Sequence, residues 1–177
     1  TLNYKNEYVF GKLYFLSQPL TAEAALASSA PVIDGTVDDI WHNASPIDIN
    51  KYTMGKDGAY GTAKMLWDGD CIYVLVDVKD KKLSKASANA YEQDTVEIFL
   101  DENNGKTSTY EADDVQLRIN YDNEVTITDG KSADGYITAA KTTNDGYIVE
   151  AAIPYTISPF SADQVVGFDV QINDDGD

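Results

Sequence analysis

The chain has 177 residues and a formal net charge of −17, from 30 acidic and 13 basic side chains. Nucleic acids and anionic membrane surfaces are bound through clustered Lys and Arg, so this charge argues against both classes of partner. A single cysteine excludes an intrachain disulfide, and one histidine excludes a Cys/His zinc site. No apolar stretch approaches the roughly 20 residues that cross a bilayer, so we expect a soluble domain suited to a neutral ligand or a divalent cation.

The first 30 residues differ in composition from the rest of the chain. An aromatic-rich segment leads into a small-residue stretch, TAEAALASSA, at 21–30. We predict that 1–30 is a linker or the tail of a neighbouring segment, with 21–30 forming a linker or a short helix. The folded domain is then expected to span 31–177. We expect a single helical turn after Asp38 and Asp39, where Ile40 and Trp41 would fill one end of the core.

Beyond this turn the chain consists of short β-rich runs separated by turn residues, without a long helical period. Short strands separated by regularly spaced turns are typical of an antiparallel sandwich or barrel. We therefore predict an all-β, antiparallel fold, a β-sandwich, with one short helical turn. The eight predicted strands are 63–67, 72–78, 95–100, 115–121, 124–128, 136–140, 147–153 and 166–173.

Three of these strands place polar side chains on one face of the sheet. In 115–121, with the sequence VQLRINY, apolar and polar residues alternate, and the runs 95–100 and 166–173 share that alternation. Carboxylate, guanidinium and amide groups on a stiff sheet are suited to sugar hydroxyls, which both donate and accept hydrogen bonds. An ordinary solvated face has the same pattern. The candidate sugar-binding residues on this face are Glu97, Arg118, Asn120, Gln171 and Asn173.

Arg118 and Tyr91 carry the strongest signals beside this face. Arg118 is the only arginine and lies in the middle of a strand, where it suits vicinal hydroxyls or a carboxylate on a neighbouring strand. Tyr91 lies in the turn before the strand of Glu97, and an exposed ring there would pack flat against the C–H face of a pyranose. Trp41 and Trp67 accompany apolar residues and are predicted to lie in the core.

Several segments in order resemble one known family. They are 32–35 with 38–41, LWDGDCIYVLVDVKD at 66–80, 91–121, DGYIVEAAIP at 145–154 and VGFDVQIND at 166–174. Together they resemble the family 9 carbohydrate-binding modules that are appended to bacterial xylanases. The resemblance runs from about residue 31 to the last residue, and it implies a β-sandwich.

The resemblance also implies a function. Modules of this family are non-catalytic and bind the reducing ends of cellulose and xylan chains, and small sugars, in a slot between two aromatic side chains. Tyr91 occupies one of these aromatic positions, where the family usually has Trp. The polar sugar-binding positions of the family fall on Glu97, Arg118, Asn120 and Gln171, with Asn173 on the same face. The implied partners are a polysaccharide or oligosaccharide and a covalently attached glycoside hydrolase, in a secreted protein.

One departure from the family concerns the second aromatic residue of the slot. The family has that Trp in a segment after the IND block, and this sequence stops at Asp177, so we expect a domain truncated at its C-terminal end. The alternative function is a structural spacer copy of the same fold with little or no sugar binding.

The resemblance further implies structural calcium, which takes carboxylate and carbonyl oxygens from a flexible loop. The acidic loop before the strand of Glu97 carries Tyr91, and a bound ion would fix its position. The predicted ligands are Asp80, Asn89 and Asp94, although each of these residues also suits a solvated acidic turn.

Two other classes of function fit these residues poorly. A glycosidase needs a pair of carboxylates, such as Asp113 and Asp114, but adjacent residues of a strand point to opposite faces. A haem-binding sandwich would use His or Met as axial ligands. Met65 alternates like a core residue, and His42 follows Trp41 at a surface turn. We therefore expect neither an enzyme nor a haem protein.

Overall fold

The computed structural model describes residues 20–55, 57–128, 130–156 and 159–175, which form strands and two single-turn 3₁₀ helices. Within these residues no helix is both long and apolar enough to span a membrane. The 3₁₀ helices are Asp39–Asn43 and Ala90–Glu92. The strands are β1 Ala25–Leu26, β2 Ile47–Ile49, β3 Tyr60–Trp67, β4 Cys71–Lys79, β5 Thr95–Asp101, β6 Asp114–Asn120, β7 Val125–Ile127, β8 Ile137–Thr142, β9 Gly146–Pro154 and β10 Gly167–Asn173.

The strands form two sheets. The first has the order β1-β3-β4-β9-β8, with β2 also paired to β3, and the second has the order β10-β5-β6-β7. All pairings are antiparallel except the short parallel contact of β1 with β3. The structure confirms the predicted all-β, antiparallel sandwich and the helical turn at Asp39.

The main core lies between the two sheets, and period-2 alternation supplies it. Every second residue of β4, from Ile72 to Val78, points inward, and Val115, Leu117 and Ile119 of β6 face them from the second sheet. Burying each such aliphatic side chain contributes about 1.5–3 kcal/mol relative to leaving it in water. Met65 belongs to this core, as predicted.

A second apolar layer covers the central strands of the first sheet on their other side. Trp41 is fully buried there against Leu66, Tyr73 and Leu75. Its indole Nε1 donates to Oε1 of Glu150 at 3.0 Å. Since both faces of β4 and β9 are covered, these strands are almost continuously buried. The outer face of the second sheet has no comparable layer in the described part of the chain.

The structure differs from the sequence prediction in three elements, which are β1, β2 and the second 3₁₀ helix Ala90–Glu92, where a turn was expected. Ala25 and Leu26, predicted to belong to a linker or a short helix, form β1 instead, because the edge of β3 offers them backbone partners. Strand β2 was not predicted, since three residues are too few to establish a period. Residues 1–19 lie outside the described residues. Trp41 and Trp67 both pack against apolar clusters, as expected.

Candidate functional site

The register of the second sheet brings the predicted polar residues together. Gln171 of β10 pairs with Glu97 of β5, which pairs with Arg118 of β6. Asn173 pairs with Thr95, and Thr95 with Asn120, in the adjacent row. Paired residues of an antiparallel sheet point to the same side, so all five predicted polar residues lie on its outer face.

Glu97 is the centre of this group. It is only 2% exposed although it lies on an outward face, because neighbouring side chains cover it. Its Oε1 accepts a hydrogen bond from Asn173 Nδ2 at 2.7 Å and lies 2.9 Å from Arg118 Nε. Its Oε2 accepts a hydrogen bond from Gln116 Nε2 at 2.5 Å. The carboxylate is thus held in one orientation by groups from two neighbouring strands.

Arg118 is partly accessible, with 21% of its side chain exposed. Its Nε faces Glu97 as an ion pair but is not aligned for a hydrogen bond. The interpretation of Arg118 as the partner of a carboxylate on a neighbouring strand is therefore confirmed. A guanidinium has five N–H donors, so ion pairing through Nε leaves its two terminal nitrogens to donate to a ligand above the sheet.

Gln171 and Asn173 extend the network along β10. Gln171 Nε2 donates to Asn173 Oδ1 at 3.0 Å, and Asn173 Nδ2 also donates to Thr95 Oγ1 at 3.2 Å. The amides therefore form a chain that ends on Glu97. Because Gln171 is exposed, its carbonyl oxygen lies at the solvent-facing end of this chain.

Asn120 is engaged differently from the other four residues. It is buried, and its Nδ2 donates to Gln93 Oε1 at 3.0 Å and to Glu124 Oε2 at 2.8 Å. Its Oδ1 accepts the backbone N–H groups of Asp122 and Glu124. These contacts hold the β6–β7 turn and the Gln93 side chain. A direct bond from Asn120 to sugar stays a prediction, and it would require one of these partners to be exchanged.

Tyr91 lies at the end of this face, in the 3₁₀ helix Ala90–Glu92, which packs against β5 and β6. Its side chain is 56% exposed. Hydrogen bonds within the loop hold its shape, since Ser87 Oγ and Asn89 Nδ2 both donate to Glu92 Oε2, at 2.6 and 3.0 Å. Gln93 donates to the Ser87 carbonyl. The ring is exposed on a braced loop, which suits stacking against a flat apolar surface.

Sequence reasoning missed Gln116 as a site residue. Its amide is one of three groups that fix Glu97, and it lies on the outer face of β6 two residues before Arg118. The alternation that identified Arg118 and Asn120 also marked Gln116 as outward. It was not selected because the sugar-binding positions of the resembling family do not include it, and its contact with Glu97 is diagonal, since Gln116 pairs with Phe99.

A cluster of carboxylates lies beside the Tyr91 loop. Asp80, Asp94 and Asp174 each offer an oxygen within 4.8 Å of the others. Asp94 is fully buried and accepts backbone N–H groups from Ser84 at 2.5 Å and Asp175 at 2.7 Å. Burial, together with the charges of Asp80 and Asp174, raises its pKa to about 6. The three side chains follow β4, precede β5 and follow β10, so they join both sheets.

A buried hydroxyl accompanies this cluster. Tyr147 is fully buried, and its OH has no hydrogen-bond partner among the described residues. Tyr147 pairs with Val78 of β4, two residues before Asp80. Burial, and then the charges of Asp94, Asp80 and Asp174, raise the pKa of its hydroxyl. Of the predicted calcium ligands, the structure brings Asp80 and Asp94 together and adds Asp174. The Asn89 amide donates to Glu92 instead.

The residues that a glycosidase or a haem protein would use have other roles or positions in this structure. Asp113 lies before β6, so its side chain and that of Asp114 do not point to opposite faces as expected, and with Asp101 they offer oxygens within 4.8 Å of one another. Asp113 accepts the backbone N–H group of Asn103, and Asp114 accepts that of Glu111, so both hold turns. Met65 lies in the core, Met54 is 88% exposed, and His42 lies on the other side of the sandwich from the candidate site. These positions favour neither paired acid and base chemistry nor axial ligation.

Curated relatives match nearly the whole chain. It is 47% identical to Exoglucanase XynX of Acetivibrio thermocellus over 96% of this chain, and 51% identical to Endo-1,4-beta-xylanase A of Thermotoga neapolitana over 81%. The chain spans only 14–15% of the length of these relatives. It therefore corresponds to a small segment of each of them.

Solved structures match the fold as well as the sequence. A carbohydrate binding module family 9 from Caldicellulosiruptor kristjanssonii in complex with cellotriose superposes with a TM-score of 0.77 at 37% identity, covering 86% of this chain and 77% of that chain. The same module in complex with glucose gives a TM-score of 0.76. The family model described as carbohydrate family 9 binding domain-like matches residues 33–177. The chain thus belongs to this family of carbohydrate-binding domains and is a non-catalytic module.

Proposed function

We propose that this module binds the ends of glucan and xylan chains, and small sugars, on the outer face of the β10-β5-β6-β7 sheet. One observation carries the proposal: the buried carboxylate of Glu97 is fixed by Arg118, Asn173 and Gln116 on a face that otherwise meets solvent, beside an exposed Tyr91 ring. Burying a carboxylate costs desolvation free energy, so a buried carboxylate on a solvent-facing surface indicates a role beyond packing. Hydrogen bonding of a ligand's hydroxyls to Glu97 and its partners would be such a role.

The chemistry of the face suits a neutral sugar. Glu97 can accept from a hydroxyl, the terminal nitrogens of Arg118 can donate to one, and Gln171 offers an exposed carbonyl. Tyr91 would pack on the C–H face of the terminal ring. Since a neutral sugar is not repelled by a net charge of −17, the acidic surface does not oppose binding.

The relatives support the ligand class and the setting. Their names are those of exoglucanases and xylanases, and the solved neighbours hold cellotriose and glucose. We infer that this module is attached to a glycoside hydrolase, that it directs that enzyme to plant cell-wall polysaccharide, and that the parent protein is secreted. A module bound to an insoluble substrate raises the local concentration of the attached enzyme.

Isothermal titration of the domain with glucose, cellobiose and xylobiose tests the proposal. Binding should be seen with at least one sugar, and Tyr91→Ala should weaken it by about tenfold or more while leaving the melting temperature unchanged, since the ring is exposed. Tyr60→Ala is the matched control, because Tyr60 is 52% exposed on the other sheet. A wild-type domain that binds no sugar would instead support the spacer copy of the same fold.

We also propose a calcium ion at the carboxylate cluster, where Asp80, Asp94 and Asp174 would hold it. Carboxylate oxygens are preferred calcium ligands, and a divalent cation would offset the repulsion between these three side chains. The buried Tyr147 hydroxyl beside them supports a polar occupant. When bound, the ion would fix the position of the Tyr91 loop against β10. Asn89, also predicted as a ligand, stays a prediction and is held by Glu92.

A further inference from the structure

The outer face of the second sheet continues beyond the candidate site to a cleft at the far end of β5. The cleft has a volume of about 370 Å³ and is lined by Phe99, the loop 106–110 and Asp169 of β10. Phe99 is the next outward residue after Glu97 and is half-buried, outside both apolar clusters. Tyr110 is 52% exposed. Two aromatic side chains therefore border an open cleft at the opposite end of the sheet from Tyr91.

The cleft is joined to the candidate site by hydrogen bonds. Tyr110 OH donates to Gln116 Oε1 at 3.3 Å, and Gln116 Nε2 donates to Glu97 Oε2 at 2.5 Å. In the sheet register Phe99 lies between Gln116 and Asp169. The side chain that orients the Glu97 carboxylate is thus the one that anchors the Tyr110 ring. The two regions form one continuous surface.

Distances along β5 indicate the size of ligand that would use both regions. Successive outward residues of a strand are about 7 Å apart, so the span from Thr95, at the Tyr91 end, to Asp101, at the cleft, is roughly 20 Å. A single sugar or a disaccharide is too short to cover it. An extended oligosaccharide lying along the strand could reach from one end to the other.

The lining of the cleft resembles that of the candidate site in chemistry. Aromatic rings supply flat apolar surfaces, and Thr107, Ser108 and Asp169 supply hydroxyl and carboxylate groups for a ligand's own hydroxyls. The loop that carries Tyr110 is braced, since Asp101 accepts the backbone N–H groups of Gly105 and Lys106 at 3.0 Å each. A braced aromatic loop keeps its shape when a ligand binds, which lowers the entropy lost on binding.

We propose that this cleft is a second sugar subsite, in which Tyr110 and Phe99 stack on later units of the polysaccharide chain whose end lies at Tyr91. This inference rests on the proposed function, because it requires a sugar at the first site. It extends that function by making affinity depend on ligand length. The occupant is the same β-linked chain, continued along β5.

Isothermal titration with cellobiose, cellopentaose, xylobiose and xylopentaose tests the proposal in the wild type, Tyr110→Ala, Tyr110→Phe and the control Tyr60→Ala. The wild type should bind one of the pentasaccharides about tenfold more tightly than its disaccharide. Tyr110→Ala should remove that gain and leave disaccharide affinity unchanged. Tyr110→Phe, which keeps the ring, should retain most of the gain, and Tyr60→Ala all of it. Whichever sugar series shows the gain identifies the polysaccharide.

The outcomes separate this inference from the function on which it rests. Disaccharide binding with equal affinity for pentasaccharides would overturn the second subsite and leave the first intact. An equal loss for short and long sugars in Tyr110→Ala would also overturn it, since Tyr110 would then act only through Gln116. No binding of any sugar by the wild type would overturn both.

Discussion

Arg118 and Glu97 face each other across β6 and β5, with Nε 2.9 Å from Oε1, on the outer face of a sheet whose inner face is the core. The pair is fixed before any ligand arrives, because Asn173 and Gln116 hold the same carboxylate. Preorganised donors and acceptors lose little conformational entropy when a ligand binds. The pair is therefore a structural contact and also a preorganised part of the candidate site.

Removing the cation should affect stability and binding together. Arg118→Met keeps an apolar stem but leaves Glu97 buried without its charge partner, and we expect a loss of about 1–3 kcal/mol in the free energy of unfolding, together with a loss of sugar binding. Lys79→Met is the control, since Lys79 pairs with Asp77 and Asp145 at a more exposed position and should cost less than about 1 kcal/mol. Urea unfolding of both variants checks this. Equal losses would contradict the central role of the pair.

Enlarging the ring at position 91 should strengthen binding. Tyr91→Trp offers a wider face for a sugar at a position that is 56% exposed, so it needs no rearrangement of the core. We expect affinity for cellobiose to rise by a few-fold, the effect of roughly 0.5–1 kcal/mol of added stacking. Titration calorimetry measures it, with the melting temperature as a control for folding. A weaker Trp variant would show that the ring does not stack.

Calcium should raise the melting temperature, and chelation should lower it. An ion that saturates its site a hundredfold above Kd stabilises by about 2.7 kcal/mol, which for a domain of this size is roughly 5–10 °C. Asp174→Asn should abolish most of the difference between calcium and EDTA. The control Asp48→Asn changes an exposed carboxylate on β2 and should preserve it. A wild-type melting temperature indifferent to EDTA would contradict the calcium proposal.

Glu150 should give stability an unusual dependence on pH. Burial raises its pKa, although the backbone N–H groups of Gly35 and Asp34 and the Trp41 indole donate to it and favour the ionised form. A carboxyl whose folded pKa exceeds its unfolded value binds protons more tightly when folded. Its contribution therefore becomes more favourable as pH falls from the raised pKa toward about 4.3 and is constant below that.

Comparison of the wild type with Glu150→Gln isolates this contribution. Gln keeps one acceptor oxygen but turns an NH₂ group toward N–H donors, so the variant should be less stable at pH 7 by about 1–3 kcal/mol. The deficit should widen as the pH falls from neutral toward about 4.3, because only the wild type gains by protonation. Chemical unfolding at several pH values measures it. A deficit that shrinks in acid would mean that the pKa of Glu150 is lowered rather than raised.

The long strands were predictable because one face of each is buried. In β6 the alternation of Val115, Leu117 and Ile119 with polar residues identified both the strand and its outward side. In β9, which is buried on both faces, composition rather than alternation marked the strand. Strands β1 and β2 are too short for either signal, and they form because β3 presents an edge with backbone groups to pair.

Candidate-site residues were predictable where the alternation of a single strand identifies them. They were less predictable where they depend on contacts between segments that are distant in the sequence. Glu97 and Arg118 were identified from alternation within their own strands. Asp174 joins Asp80 and Asp94 only because β10 ends beside the loop before β5, a relation between segments about 80 residues apart. The bonds of Asn120 to Gln93 and Glu124 depend likewise on how two loops meet.

The layer formed by Trp41 over the first sheet has a consequence for valency. Because the central strands of that sheet are covered, the described residues leave one sheet face open, which is the face of the candidate site, and fill the opposite face with their own side chains. A single sugar site on that face would bind one strand of a fibre and would not cross-link two. Stronger attachment to a cell wall then comes from placing several such domains in series, where each further contact is intramolecular.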